Sequence, residues 1–357
     1  MEFSHCYNRP AAYKKCGLWY AIPRQTNDEV KPMEEKNARK LKIDRTTLNS
    51  KRREKKSEQA QLGPLMRALK AIHSATNPAS LAPEDLERQR KGQELLGRLI
   101  SPMLGIAWEP FKLGPMPAAW TRPERGHDRK HAILYCHGGG YTSGNLGYAK
   151  ILSSKLAYVT GYEVLSFEYR LAPEHPYPAA LEDAVHAWDY LMHQGYGARD
   201  VIVAGDSAGG NLALCLTLTL KEQRRMLPKA LILMSPWTDL TSSGKSYVEN
   251  VEIDPMITND YIRAVRAAYA GEEADFSNPM LSPLFGDLSG FPPVFIQAGS
   301  NEILLSDSVR LRDRLVMAGV PCRLEVWNDL WHVFQMFPMK KANEAMESIG
   351  RFLLEMF

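Results

Sequence analysis

Val201-Ile202-Val203-Ala204-Gly205-Asp206-Ser207-Ala208-Gly209-Gly210-Asn211 is the stretch from which the rest of the chain can be read. Four apolar residues run into a Gly, with a Ser two positions on and a Gly two after that. Leu212-Ala213-Leu214-Cys215-Leu216 then reads as a helix. The order strand, tight turn, helix gives Gly-x-Ser-x-Gly a mechanical meaning. The central residue of such a turn is held in a strained backbone conformation, so its neighbours must be small. The turn lifts the Ser207 hydroxyl clear of the sheet and sets it at a helix N-terminus. Free N–H groups and the helix dipole there favour a developing negative charge. Two other readings compete: a small-residue turn without chemistry, and a phosphate-binding loop.

Outward from this turn the chain alternates strand and helix. Strands are expected at Ala132–Cys136, Glu163–Phe167, Val201–Ala204, Ala230–Met234, Val294–Gln297 and Cys322–Val326. Helical patterns fill the gaps at about 147–160, 179–194, 209–225, 306–318 and 341–356. Nearly continuous apolar strands separated by helices predict an α/β fold with a mostly parallel sheet covered on both faces. Two earlier strands are expected near Ala107–Pro110 and Met116–Thr121, with prolines weakening both. Residues 238–290, between two of the strands, are far longer than one crossover helix needs. This insertion carries a helical pattern at Ile257–Tyr269 and reads as a lid or cap. Helical spacing at Leu65-Met66-Leu69-Ile72 and a helix start at Pro83-Glu84-Asp85-Leu86 place further helices over the body.

At 357 residues the chain can hold one large α/β domain with an accessory piece. Its composition, 45% apolar and 24% charged, is that of an ordinary globular protein. No apolar run is long enough to span a membrane, and the first residues lack a signal peptide pattern. The five cysteines, at 6, 16, 136, 215 and 322, show no metal-like spacing, and Cys136 and Cys215 sit in apolar runs. A reduced, cytoplasmic setting fits them. The formal charge of +3 hides an asymmetry: residues 1–60 hold 15 Lys and Arg against 8 Asp and Glu, the remainder 29 against 33. Residues 1–60 therefore read as a basic, disordered N-terminal extension and 61–357 as the folded domain. A basic arm can meet nucleic acid or an anionic membrane; a solvated extension, or a start placed too far upstream, is the favoured reading, with no nucleic acid partner expected.

Open α/β sheets place their chemistry at the C-terminal ends of the strands. After Ala132–Cys136 comes His137-Gly138-Gly139-Gly140-Tyr141, whose glycines let the backbone approach a ligand and aim N–H groups at an oxyanion. No Gly-Lys-Ser/Thr follows, which argues against a nucleotide loop. His137 reads as a structural anchor. After Val294–Gln297 come Glu302 and Asp307, and after Cys322–Trp327 comes His332. Ser, acid and His in that chain order, each just past a strand, form the pattern of a nucleophile, its orienting carboxylate and its base. Ser207 would attack a carbonyl carbon, and His332 would take and return the proton. Glu302, close to the strand end, is favoured as the acid; Asp307, near the start of the next helix, is the alternative. No metal or cofactor is called for. Trp237, Trp331, Val333, Phe334, Met256 and Ile257 can line a pocket or be core.

Several motifs together resemble the hormone-sensitive lipase family of α/β-hydrolase esterases. They are His137-Gly-Gly-Gly-Tyr141, Tyr169-Arg170-Leu171-Ala172-Pro173-Glu174, Gly205-Asp-Ser-Ala-Gly-Gly210, Ser235-Pro236-Trp237 and a late His. The resemblance covers about residues 62–357. It implies an oxyanion hole made by the N–H groups of Gly139, Gly140 and Ala208, and a cap built from about 62–105 and 238–290. It also implies a serine carboxylesterase acting on small to medium acyl esters through a covalent acyl-enzyme. Hydrolysis of a lactone or a specialised acetyl ester is the alternative on the same machinery. A homodimer through the edge strand is a further expectation from the family. Family members usually carry Asp in an Asp-Pro-Leu context where this chain has Glu302-Ile303-Leu304. Binding-only relatives resembling plant gibberellin receptors have lost the catalytic His, whereas His332 is retained.

Overall fold

A strand without polar alternation needs cover on both faces, and the inner strands of the sheet have it. The computed structural model describes residues 63, 64, 66–68, 81–99, 103–126 and 128–356, all within one compact unit, Arg53–Phe357. The expected extension at 1–60 and most of the helical pattern at Leu65–Ile72 lie outside the described residues.

The strands are β1 (Ile106–Leu113), β2 (Met116–Pro123), β3 (Asp128–Cys136), β4 (Tyr162–Phe167), β5 (Val201–Asp206), β6 (Ala230–Met234), β7 (Val294–Gly299) and β8 (Cys322–Trp327). They lie in the order β1-β2-β4-β3-β5-β6-β7-β8. The β1–β2 and β2–β4 pairs are antiparallel, and every pair from β4–β3 to β7–β8 is parallel. The prolines that weakened the first two strands are accommodated. Pro110 sits in β1, at the sheet edge, a position that tolerates a residue without an N–H.

The helices are α1 (Pro83–Leu99), α2 (Leu146–Thr160), α3 (Ala179–His193), α4 (Ala208–Glu222), α5 (Ser246–Glu249), α6 (Asn259–Ala270), α7 (Leu305–Met317) and α8 (Lys340–Leu354). Successive side chains of a strand point to opposite faces, and two core clusters follow from this. Leu134, Val203, Leu233 and Ile296 pack with Trp188 of α3, Leu212 and Leu216 of α4 and Leu311 of α7. Their neighbours Ile133, Ala204, Ile232 and Phe295 pack on the other face with Leu152 and Leu156 of α2 and Ile349 and Leu353 of α8. Truncating one of these fully buried residues, such as Leu233→Ala, should cost about 2–5 kcal/mol.

The caps are visible locally. The Asn145 side chain accepts from the Tyr148 N–H at the start of α2, which ends on Gly161 at φ 72°. The Thr258 side chain does the same for α6, accepting from the Tyr261 N–H. The long insertion between β6 and β7 holds α5 and α6. No helix among the described residues is long and apolar enough to cross a membrane.

Candidate active site

The turn after β5 is built by contact, not by flexibility. A Cβ on Gly205 would stand 2.2 Å from the Gly209 carbonyl oxygen, and one on Gly209 would stand 2.1 Å from that of Cys136. Helix α4 can therefore start hard against the ends of β5 and β3 only with glycine at both places. Between them Ser207 takes φ 54° and ψ −121°, a conformation unfavourable for a residue with a Cβ. Its backbone is over-determined, which is how such strain persists. Its N–H donates to the Met234 carbonyl at 3.0 Å, and its carbonyl accepts from Gly210 and Trp237, each at 3.0 Å. Ser is a favoured helix cap, yet the Ser207 side chain makes no cap bond. From Val201 to Leu218 it is the one residue that is not buried.

Cys136 pairs with Gly205, so the loop after β3 starts beside this turn. Gly139 and Gly140 have φ 117° and 63°, and a Cβ on Gly139 would stand 2.3 Å from the Ser143 carbonyl oxygen. The Gly139 carbonyl accepts from the N–H groups of Thr142 and Ser143. Among the described residues, none accepts a hydrogen bond from the N–H of Gly139, Gly140 or Ala208. Helix α6 lies over the loop: a Cβ on Gly140 would stand 2.9 Å from the Tyr261 hydroxyl and 3.1 Å from Val265 Cγ1.

His137 is buried and neutral at ordinary pH. Its Nδ1–H donates to the Gly138 carbonyl at 2.8 Å and its ring stacks on Tyr169 at 4.1 Å. Burial pushes its pKa down to about 4, against the opposing effect of that hydrogen bond. This matches an anchor and not a base.

Glu302 and His332 meet. Glu302 is fully buried in the loop between β7 and α7, and its Oε2 lies 3.1 Å from His332 Nδ1. Its Oε1 has no hydrogen-bond partner among the described residues. Burial pulls the imidazole pKa down, but the Glu302 hydrogen bond and the charges of Glu302, Asp254 and Asp206 together raise it. The residue after His332 is tied to the nucleophile's side of the sheet. The Val333 N–H donates to Ser235 Oγ at 3.1 Å, and Ser235 follows Met234, which holds the Ser207 N–H. Asp307 faces elsewhere. In the first turn of α7, its Oδ2 accepts from the N–H groups of Thr238 at 2.7 Å and Asp239 at 2.9 Å. Of the two acids weighed from the sequence, Glu302 is the one against the imidazole. Trp331 and Phe334 take the core option, packed with Ala342 and Ala345 of α8.

Three further residues have parts that sequence reading missed. Asp206, buried next to Ser207, accepts from the Tyr135 hydroxyl at 2.5 Å, the Gly138 N–H at 2.9 Å and the Tyr148 hydroxyl at 2.6 Å. It fixes the start of the glycine loop to the turn. Arg90 of α1 donates from Nε to the Thr142 carbonyl at 2.8 Å and from Nη2 to the Ala172 carbonyl at 2.9 Å. It also forks onto both oxygens of Glu174 at 2.8 Å. Asp254, from the insertion, is buried and donates its field to His332 from beside the Glu302 loop. Asp206 and Glu174 stood inside quoted motifs, but their partners were too far along the chain to be inferred.

A family model described as the α/β hydrolase fold matches residues 133–336. An esterase of Acinetobacter venetianus is 39% identical over 286 residues, covering 80% of this chain and 93% of that protein. An acetyl-hydrolase of Streptomyces hygroscopicus is 34% identical over 291 residues, covering 81% and 95%. A solved esterase of the bacterial hormone-sensitive lipase family superposes with a TM-score of 0.75 at 33% identity, covering 82% of this chain and 98% of that one.

Proposed function

Since the chain belongs to the α/β-hydrolase fold family, and within it to the hormone-sensitive lipase family of esterases, we propose that its ester hydrolysis runs through Ser207, His332 and Glu302. The activity is that of a serine carboxylesterase on small ester substrates. The observation that carries the residue assignment is Ser207 itself. It is strained, its hydroxyl is uncommitted to its own helix, and from Val201 to Leu218 it is the one residue that is not buried. The Glu302–His332 contact supports the other two roles.

In this mechanism Ser207 Oγ attacks the ester carbonyl carbon while His332 Nε2 takes its proton. The tetrahedral oxyanion accepts from the N–H groups of Gly139, Gly140 and Ala208. Collapse expels the alcohol, which leaves with the proton from His332. Water then attacks the acyl-enzyme, His332 again acting as base, and the acid departs. Glu302 holds the Nδ1–H tautomer and favours the imidazolium.

The segments 62–105 and 238–290 form a cap in this reading. Arg90 and Tyr261, one from each, reach the loop that would hold the oxyanion. Small to medium acyl esters are the proposed substrates. The similarity to an acetyl-hydrolase favours a second reading, a specialised acetyl ester, which a chain-length series from acetate to octanoate separates by where kcat/KM peaks. A cytoplasmic setting and a homodimer along β8 complete the proposal, supported by the free thiols of Cys136, Cys215 and Cys322 and by the half-open edge strand. The assignment is tested by a phosphorylating inhibitor such as paraoxon. One diethylphosphoryl group on the Ser207 peptide should accompany loss of all activity, and labelling of a different residue sinks it.

A further inference from the structure

The loop that carries Glu302 is gripped by three side chains of the insertion, each four residues after the last. Ser246 Oγ donates to the Ile303 carbonyl at 2.6 Å and accepts from the Ser306 N–H at 2.8 Å. Asn250 Nδ2 donates to the carbonyls of Ser300 at 3.1 Å and of Glu302 itself at 2.9 Å. Asp254 Oδ2 accepts from the Ile303 N–H at 2.8 Å, the peptide next to Glu302. Its Oδ1 accepts from the N–H groups of Met256 at 2.8 Å and Ile257 at 3.2 Å. One buried carboxylate thus joins the acid's loop to the segment that leads into α6, which lies over Gly140.

This grip matters because the Glu302 carboxylate itself has little to hold it. Its Oε1 has no partner among the described residues, so His332 is the partner of its carboxylate and the backbone must supply the rest of its aim. Asp254 adds a second effect. It lies close enough for its charge to bear on both Glu302 and His332. Burial pushes its own pKa up to about 6, partly offset by the His332 charge and the N–H groups it accepts from.

We propose that Asp254 is a positioning residue of the ester hydrolysis, holding the Glu302 loop so that the carboxylate meets His332 in the geometry proton transfer needs. The proposal rests on the triad reading given above. No hydrogen bond joins Asp254 to the imidazole; its hydrogen-bond hold on the site is on the Glu302 loop.

A double-mutant cycle tests it, with kcat and KM measured separately on p-nitrophenyl butyrate for the wild type, Asp254→Asn, Glu302→Gln and the pair. In Asp254→Asn an amide N–H replaces one acceptor and meets a backbone N–H. A displacement of the acid by about 1 Å should lower kcat on the order of 10- to 100-fold, with KM within about threefold. In the Glu302→Gln background the same change should cost less than about threefold, since the residue it acts through is already disabled. An unchanged kcat, an effect on KM alone, or an equal loss in both backgrounds overturns the proposal. Glu302→Gln alone distinguishes the deeper failure: if that variant keeps wild-type kcat, the triad reading falls and this proposal with it. Should Asp254→Asn not fold, Asn250→Ala removes the neighbouring grip on the Glu302 carbonyl without touching a charge. A lower kcat that vanishes in the Glu302→Gln background supports the clamp, and an unchanged kcat overturns it.

Discussion

Around Ser207 the backbone is fixed by contacts with no room between them. Gly205, Gly209 and Gly139 sit where a single methyl would collide with a carbonyl oxygen. Around Glu302 it is fixed by hydrogen bonds with Ser246, Asn250 and Asp254, some fifty residues earlier in the chain. The first arrangement tolerates no change at a few positions and very little motion. The second spreads the work over polar side chains, each replaceable at a cost of order 1 kcal/mol or more per hydrogen bond. A nucleophile that must keep a strained φ needs the first. An acid that must only face an imidazole can live with the second.

The largest expected effect separates chemistry from architecture on the rigid side. Ser207→Ala should lower kcat on the order of 10⁶-fold, the scale at which other serine hydrolases lose their nucleophile. Its thermal unfolding should barely move, because the hydroxyl caps nothing. Substantial turnover of p-nitrophenyl acetate by this variant would remove the mechanism. A folded-state collapse would instead show that the turn depends on the hydroxyl and not on its glycines.

Next in size is the acid. Glu302→Gln should cost on the order of 10⁴-fold in kcat, as loss of the tautomer-holding carboxylate does in other triads. Asp307→Asn, in the first turn of the adjoining α7, is the control and should change little. Burial pushes the Asp307 carboxyl up to about 8, so it is protonated at neutral pH. An amide keeps the oxygen that accepts from Thr238 and Asp239. The reverse pattern of losses would give Asp307 the role.

These cases also mark how far the sequence could be read. The elbow and the glycine loop were legible because each constraint is written within a few residues: a glycine is needed where its own neighbours come close. The strands β3, β5, β7 and β8, which end at the site, followed from the alternation of apolar runs and helices; their order in the sheet did not. Choosing Glu302 over Asp307 was legible only as a preference for the residue nearer the strand end. Asp206, Arg90 and Asp254 could not be read, since their partners lie 68, 52 and 49 residues away and nothing local demands them. Trp331 and Phe334 were ambiguous for a related reason: an aromatic next to a motif has the same spacing whether it faces a pocket or α8.

The two sides should respond oppositely to acid. His137, on the nucleophile's side, is kept neutral down to about pH 4, while in the unfolded chain it takes a proton near 6.5. Between these values the unfolded chain binds the extra proton, so stability falls as pH drops, by up to about 3 kcal/mol from this group. Asp254, on the acid's side, has its pKa raised to about 6. Below that the folded protein binds the extra proton and this group's contribution to stability rises as pH falls. Urea unfolding at pH 6.5, 5 and 4 reads both. His137→Gln should flatten the loss on acidification and Asp254→Asn should steepen it. The same slope in all three proteins would contradict the sign assigned to each group.

The smallest expected effect bears on whether the contrast is as sharp as it looks. The glycine loop has one remote support of its own, the Arg90 guanidinium on the carbonyls of Thr142 and Ala172. If packing of glycines is what holds the loop, Arg90→Ala should lower kcat/KM only about threefold to tenfold, with stability reduced by about 1–2 kcal/mol for the lost charged hydrogen bonds. Arg90→Lys should resemble the alanine variant more than the wild type, because an ammonium cannot fork onto Glu174 while also reaching two carbonyls. A loss approaching that of Glu302→Gln would mean that the oxyanion loop, like the acid loop, depends on a clasp from distant sequence. The rigid side would then be rigid only while α1 is docked.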